Sequence, residues 1–330
     1  MLATVPFTVE DRARSWAATA LSFGGLAVCV AGAAVARPWP LRAVFAALEG
    51  LFVVRCFGLY HDALHGALLR GSRPARWLFN LFGVLVLTPP AVWRETHNYH
   101  HAHTAKLVGS HVGSFITVNV AMWNAMTPAQ RLRYRVVRSG LTIVLGYLTI
   151  FFFGMCLSSF LRGPRRFWDS GLALVVHLAL LVELAYWGGP GLPLWVLVVP
   201  LWVGCAVGSY LFYAQHNYPS VEIQPRERWS YSQAALNSSS YIEMGPVMRY
   251  FTANLGYHHI HHLNPAIPFY RLPEAMAASV ELQHPGRTTL WPRDIVQCLS
   301  LDIWDERARR MVPLEALTDE VRSPAEGAES

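Results

Sequence analysis

The stretch Leu41-Arg-Ala-Val-Phe-Ala-Ala-Leu-Glu-Gly-Leu-Phe-Val-Val-Arg-Cys-Phe-Gly-Leu-Tyr60 runs without a break into His61-Asp-Ala-Leu-His65-Gly66. The first part has the length and apolarity that a helix needs to cross the hydrocarbon core of a bilayer. The second places two histidines at i and i+4, where a helix presents both rings on one face. A membrane span that ends in a pair of imidazoles puts metal chemistry at the membrane surface. The rest of the chain is read outward from that junction.

Three further stretches qualify as spans: Trp16–Ala36, Gly171–Trp187 and Leu192–Ala214. Arg37-Pro-Trp-Pro40 joins the first to Leu41–Tyr60, and Gly188-Gly-Pro-Gly191 joins the other two. Such Pro/Gly punctuation turns a chain between helices, so two helical hairpins result, each with both ends on one side. Trp77–Val92 is short and ends in Pro89-Pro90. Leu141–Phe160 is preceded by Arg131, Arg133, Arg135 and Arg138 and followed by Arg162, Arg165 and Arg166. Positive charge on both flanks puts both of its ends on the cytoplasmic face, so both stretches are expected as interfacial or re-entrant half-helices. The expected fold is an all-α integral membrane protein of about four transmembrane helices in two hairpins, with a cytoplasmic cap. A membrane domain covers residues 1–284, and a cytoplasmic tail covers 285–330.

Composition supports this. Of 330 residues, 53% are apolar and 15% charged, against roughly 25% charged in soluble domains. The formal charge of +6 suits the cytoplasmic side of a membrane, and no nucleic-acid partner is expected. Cys29, Cys56, Cys156, Cys205 and Cys298 form no CxxC pair, so they are read as buried hydrophobes. No cleavable signal peptide is expected, because Glu10, Asp11, Arg12 and Arg14 precede a run long enough to span. Glu49, Arg55 and Glu183 lie within apolar runs and are expected to face the bundle interior in structural pairs. His177 is read as a packed core residue.

Two more histidine groups follow: His97-Asn-Tyr-His100-His101-Ala-His103-Thr104 and Tyr257-His258-His259-Ile260-His261-His262-Leu263. In HxxHH the first histidine shares a helix face with both of the others. Eight or more imidazoles exceed one tetrahedral zinc site, so two metals are needed to use them. Nitrogen-rich ligation argues against magnesium or calcium, and redox iron with open positions fits oxygen activation.

The three boxes, their order and the paired hairpins resemble the membrane fatty acid desaturase family, from about Leu48 to Pro273. Thr104–Ser110, Tyr250–Gly256 and the ending His261–Pro273 extend the similarity, the last toward omega-6 (delta-12-like) acyl-lipid desaturases of bacteria and plastids. The resemblance implies two irons held by His61, His65, His97, His100, His101, His216, His258, His261 and His262, with His216 supplied by Tyr213-Ala-Gln-His-Asn-Tyr-Pro219. It implies O2 as co-substrate, a fatty acyl chain on lipid, CoA or acyl carrier protein, and a cis double bond as product. Electrons would come from a separate donor such as ferredoxin or cytochrome b5. His103 and His259 are extra to the pattern, and His111 and His284 carry no assigned role. His284-Pro-Gly286 is too near the C-terminus for a haem domain.

Asp62, Glu95, Asn98 and Asn217 are candidates to accept ring N–H bonds from the ligands. Leu51, Tyr60, Trp93 and Phe115 are candidates to line an apolar substrate tunnel. Hydroxylase, acetylenase and carotenoid ketolase or hydroxylase reactions use similar boxes, and His61–Gly66 is also similar to the first box of the ketolases. A metal transporter would place histidines near the membrane midplane, whereas these lie beyond span ends. The tail, with Trp291-Pro-Arg-Asp294 and Ile303–Arg310, reads as a short helix on the cytoplasmic surface with a solvated acidic end at Val321–Ser330. Its Arg307, Arg309 and Arg310 face solvent or an electron donor. The expected location is a bacterial inner membrane, with the boxes on the cytoplasmic side.

Overall fold

In the computed structural model, which describes residues 2–109 and 112–317, four helices are long and apolar enough to cross a membrane: α1 (Arg12–Val35), α2 (Trp39–His65), α6 (Trp168–Gly188) and α7 (Gly191–His216). Asp11 starts α1 by accepting a hydrogen bond from the Arg14 amide, and α2 starts with Pro at its N-terminus after Pro38. α2 does not stop at Tyr60. It continues through the first histidine pair to His65 and ends only at Gly66, whose φ of 73° supplies the left-handed turn that caps helices. The hairpins meet where α2 and α7 cross. A Cβ on Gly50 would lie 2.8 Å from the Pro200 carbonyl oxygen, and one on Gly204 would lie 3.1 Å from the Gly50 carbonyl oxygen. Two glycines let the backbones approach closely, and both helices then deliver their C-termini, His65 and His216, to the same end. The outer helices turn apolar residues outward, among them Leu21, Val28, Val175 and Val182.

The two half-elements behave as their punctuation predicts. α3 (Arg73–Leu85) and α4 (Pro90–His103) are bent by 92° at the break between them, where Leu87 adopts a φ of 58°. α4 thereby carries the second histidine group across the end of α2. After α5 (Pro128–Arg138), the chain forms an apolar segment around a π-helix, Tyr147–Ser158. Arg138 donates from Nη2 to Asn217 Oδ1 at 2.8 Å, beside His216, and Arg166 pairs with Glu95 at 2.6 Å, near His97. Both flanks of the segment therefore return to the histidine end of the bundle.

The remaining chain caps that end. It carries a six-residue helix, α8 (His258–Leu263), and α9 (Pro292–Ser300). Strand β1 (Tyr241–Glu243) pairs in parallel with β2 (Arg287–Thr289), so residues beyond 284 are built into the cap and do not hang from it. The expected surface helix over 303–310 is overturned. β3 (Ile303–Asp305) and β4 (Arg310–Val312) form an antiparallel hairpin. Asp305 Oδ1 accepts from the Arg307 and Ala308 amides, a local turn bond that competes with helix formation. Ile303, Trp304 and Met311 are buried, while Arg307, Arg309 and Arg310 stay exposed. Val321–Ser330 and His111 lie outside the described residues.

The charges inside apolar runs divide. Arg55 is buried and donates to Tyr250 O at 2.6 Å and Ser22 Oγ at 3.2 Å, with the Tyr250 and Phe269 rings against its guanidinium. Glu49 is buried too. Glu183 faces outward, contrary to expectation, and accepts from Trp187 Nε1 at 3.2 Å; its place one turn from the hairpin turn brings it near the end of the span. His177 is a core residue that shares a 2.6 Å hydrogen bond with Tyr147 Oη. The five cysteines are free and buried.

The α2–α7 crossing gives a direct test. Gly50→Ala forces a methyl into occupied space and is expected to destabilise the detergent-solubilised protein by about 1–3 kcal/mol, the ordinary range for overpacking. Gly24→Ala on α1, with nothing within 4 Å of the added atom, is expected to be neutral or stabilising by about 0.5–1 kcal/mol. Thermal midpoints of the two variants, measured side by side, check this.

Candidate metal centre

α2, α4, α7 and α8 each contribute histidines to one buried space. α2 brings His61 and His65, one turn apart; α4 brings His97, His100 and His101; α7 ends in His216; α8 brings His258, His261 and His262. These nine fall into two sets able to hold a metal ion: His61, His65, His97, His101 and His261 in one, and His100, His216, His258 and His262 in the other. Within each set the ligand nitrogens lie within 4.8 Å of one another.

The Nε2 atoms face one another. In the first set His61–His97, His97–His101 and His101–His261 are separated by 3.1, 3.0 and 3.1 Å. In the second, His100–His216, His216–His258 and His258–His262 are each 3.0 Å apart. For a metal–nitrogen bond of about 2.1 Å, imidazoles at right angles lie about 3.0 Å apart and tetrahedral ones about 3.4 Å. The observed spacings match the former, and five donors exceed a tetrahedral shell. The donor chemistry and the spacing therefore fit two ions bound by imidazole.

Several rings are fixed from behind. His216 Nδ1 lies 3.0 Å from the Ser238 carbonyl, which can only accept, so the proton sits on Nδ1 and the Nε2 lone pair faces inward. Thr104 donates to the His100 carbonyl at 2.7 Å, leaving its oxygen to accept from His262 Nδ1 at 3.3 Å. Trp93 stacks on His97 with centroids 4.2 Å apart. Burial first, and neighbouring imidazoles second, hold His258, His261 and His262 well below the ordinary histidine range. They are neutral at pH 7 and free to bind metal without first losing a proton.

Of the four proposed acceptors, only Asp62 touches a ligand, its Oδ1 lying 3.2 Å from His61 Nδ1 while its Oδ2 accepts from the Phe269 amide at 2.7 Å. Glu95 is turned to Arg166, Asn98 is exposed, and Asn217 spends its amide on Arg138, Cys298 O and Leu301 O. Adjacency in sequence put them near the ligands, but a residue next to a helical ligand points elsewhere on the helix. His259 turns away, with Nε2 3.1 Å from Leu282 O. His103 bonds Tyr99 O and stacks on the Tyr99 ring. Thr104 was within reach of sequence reasoning, being four residues beyond His100, where threonine bonds back to the helix. The Ser238 carbonyl leaves no sequence signal.

An apolar cavity of about 350 Å³ opens on the histidines. His61, His97 and His258 form part of its wall, with Phe57, Trp93, Phe115, Phe151 and Phe212. Trp93 and Phe115 line this cavity. Leu51 and Tyr60 are not among its lining residues; Tyr60 packs in the core, and its hydroxyl donates to Thr88 O at 2.7 Å.

Thr104→Val keeps the shape and removes the acceptor behind His262. Loss of such support for a metal-bound imidazole costs about 10–100-fold in metal affinity. The expected result is lower metal retention during dialysis against chelator, measured by elemental analysis, with unchanged retention in His103→Gln.

The model of the family described as "Fatty acid desaturase" matches residues 37–293. A "Fatty acid desaturase" of Bacillus subtilis (strain 168) is 29% identical over 274 residues, covering 81% of this chain and 75% of its own. The "sn-1 oleoyl-lipid 12-desaturase" of a Synechocystis species is 26% identical over 283 residues, 80% of this chain and 75% of its own. A "Delta(9) fatty acid conjugase-like enzyme" of Dimorphotheca sinuata is 26% identical over 265 residues, 73% of this chain and 68% of its own. With a match over most of its length and the histidine sets in place, this chain belongs to the fatty acid desaturase family.

Proposed function

We propose that this protein is an oxygen-dependent acyl-lipid desaturase that introduces a cis double bond into a fatty acyl chain. The nine histidines His61, His65, His97, His100, His101, His216, His258, His261 and His262 would hold two irons, which supply the oxidation of an unactivated methylene by O2. The single observation that carries the reading is that an apolar cavity ends on members of both histidine sets. Imidazole suits iron, as it does zinc, copper and nickel, and redox iron with open positions suits oxygen chemistry.

The protein's own work is positioning. Phe57, Phe151, Phe212 and Met155 give a flexible chain an apolar surface, so its methylenes can leave the bilayer for the cavity at little hydrophobic cost and without any polar recognition. The same surface excludes water from the reacting carbons. Holding one C–C bond beside the histidines turns an intrinsically unselective oxidation into a selective one. Electron count sets the partner. Reducing O2 to two waters takes four electrons, and the two broken C–H bonds supply two. The other two come from a separate carrier protein such as ferredoxin or cytochrome b5. The location in this reading is a bacterial inner membrane with the cap in the cytoplasm.

Expression in a host followed by fatty-acid analysis of its membranes tests the reading. A new unsaturated acyl chain is expected with the natural sequence and is lost with His261→Ala plus His262→Ala. An unchanged acyl profile with about two irons per chain would replace desaturation with hydroxylation or carotenoid oxidation. Absence of bound iron would remove the metal assignment itself.

A further inference from the structure

The apolar cavity is closed at its deep end where α2 and α7 cross. Gly204, Val53 and Cys205 line it there and are buried, and Gly204 has a packing reason to be glycine, since a Cβ would press on Gly50 O and Val53 at 3.1 Å. Gly208, one turn nearer the histidines, has none. It is helical, it lines the cavity, and a Cβ built on it meets nothing within 4 Å. A glycine inside a helix is destabilising relative to alanine; Gly24 in α1 likewise meets nothing within 4 Å, but of the two Gly208 alone is a lining residue of the cavity.

Its position on the helix gives it a role. Gly204, Cys205, Gly208, Ser209, Leu211, Phe212 and Gln215 are the α7 residues that line the cavity. At about 100° per residue they cover roughly 160° of the helix surface, and Gly208 lies close to the middle of that stripe. A side chain there would project into the cavity. Gly208 also lies eight residues before His216, about 12 Å along the helix axis at 1.5 Å per residue. That is away from the histidines, toward the α2–α7 crossing.

We propose that Gly208 is a specificity-determining residue that keeps the deep end of the acyl cavity open and so sets how far a chain can extend beyond the bond that is oxidised. The ligand at this subsite is the terminal hydrocarbon portion of a long acyl chain. The inference rests on the desaturase reading. Without a side chain, α7 leaves room for the last methylenes; with one, only shorter chains reach the histidines in full register.

The test feeds fatty acids of graded chain length to a host expressing the natural protein, Gly208→Ala or Gly208→Leu, and measures the desaturated fraction of each length. Gly208→Leu is expected to lower the ratio of longest to shortest desaturated product at least tenfold while the shortest is still converted. Gly208→Ala is expected to raise the thermal midpoint and to reduce only the longest product. An unchanged length profile in both variants overturns the inference. If Gly208→Leu is inactive on every length, Gly208→Ala decides: a selective loss of the longest product supports the role, and a uniform loss or no change overturns it. No desaturated product from the natural protein at any length would instead sink the functional reading, independently of Gly208.

Discussion

Eight imidazoles with Nε2 atoms about 3 Å from their neighbours, and His65 within 4.8 Å of its set, are a repulsive arrangement wherever lone pairs face one another without a cation between them, and the rest of this structure follows from arranging that. A ring can offer Nε2 inward only if Nδ1 keeps the proton, and a buried N–H needs a partner. The Ser238 carbonyl behind His216, Thr104 behind His262 and Asp62 beside His61 meet that need from three different parts of the chain. Helical spacing does the remainder: i and i+4 aim His61 and His65, His97 and His101, and His258 and His262 as pairs. Burial keeps the α8 histidines neutral, so the site is arranged for metal and against protons.

Bringing four helices to one point requires a rigid frame, and two kinds of contact provide it. Inside the bilayer it is the absence of side chains, Gly50 against Pro200 and Gly204 against Gly50, because small residues let helices approach where lipid offers no hydrophobic gain from association. At the membrane surface it is two buried guanidiniums. Arg55 reaches from α2 to Tyr250 O in the cap and Ser22 in α1. Arg138 reaches from the end of α5 to Asn217, Leu301 O and Ile116 O. Neither has a carboxylate partner among the ion pairs of the described residues. Carbonyl oxygens and aromatic faces carry the charge instead, which satisfies the donors and makes burial tolerable.

Much of this was legible in the sequence because the signals are periodic or compositional. Apolar runs located the four long helices to within a few residues. Pro89-Pro90 marked the bend before α4, and the arginines on both sides of Leu141–Phe160 marked a segment whose two flanks return to one end. The Leu41–Tyr60 run marks only the apolar part of α2, since hydropathy falls at His61 while the i, i+4 histidine pair carries the helix on to His65; polarity and helicity part company where a span becomes a site. The β3–β4 hairpin was missed because its strands are three residues long, and its charged middle resembles a solvated helix face. Of the partners behind the histidines, Asp62 is legible as the neighbour of His61, and the others are not legible by adjacency. Glu95, Asn98 and Asn217 turn to other partners or to solvent, and the Ser238 carbonyl and Thr104 reach His216 and His262 from positions distant in sequence.

The two histidine sets share the apolar cavity and differ in access to a second space. The apolar cavity touches His61, His97 and His258, members of both sets, whereas a smaller and more polar cleft of about 50 Å³ touches His100 and His216 of the second set and includes Thr104, Lys106, Thr117, Arg138 and Asn217 in its wall. Phe115 and Phe212 belong to both walls and stand between them. The two rings, with centroids 6.2 Å apart, narrow the path from the more polar cleft to the apolar cavity, where water would find few hydrogen-bond partners. One turn of α7 therefore does two things. Phe212 stands between the two spaces, and His216, four residues later, lines the more polar one as a member of the second histidine set. In the proposed reaction the apolar side would take the acyl chain, and the more polar side would let pass the protons that O2 reduction consumes and the water it forms.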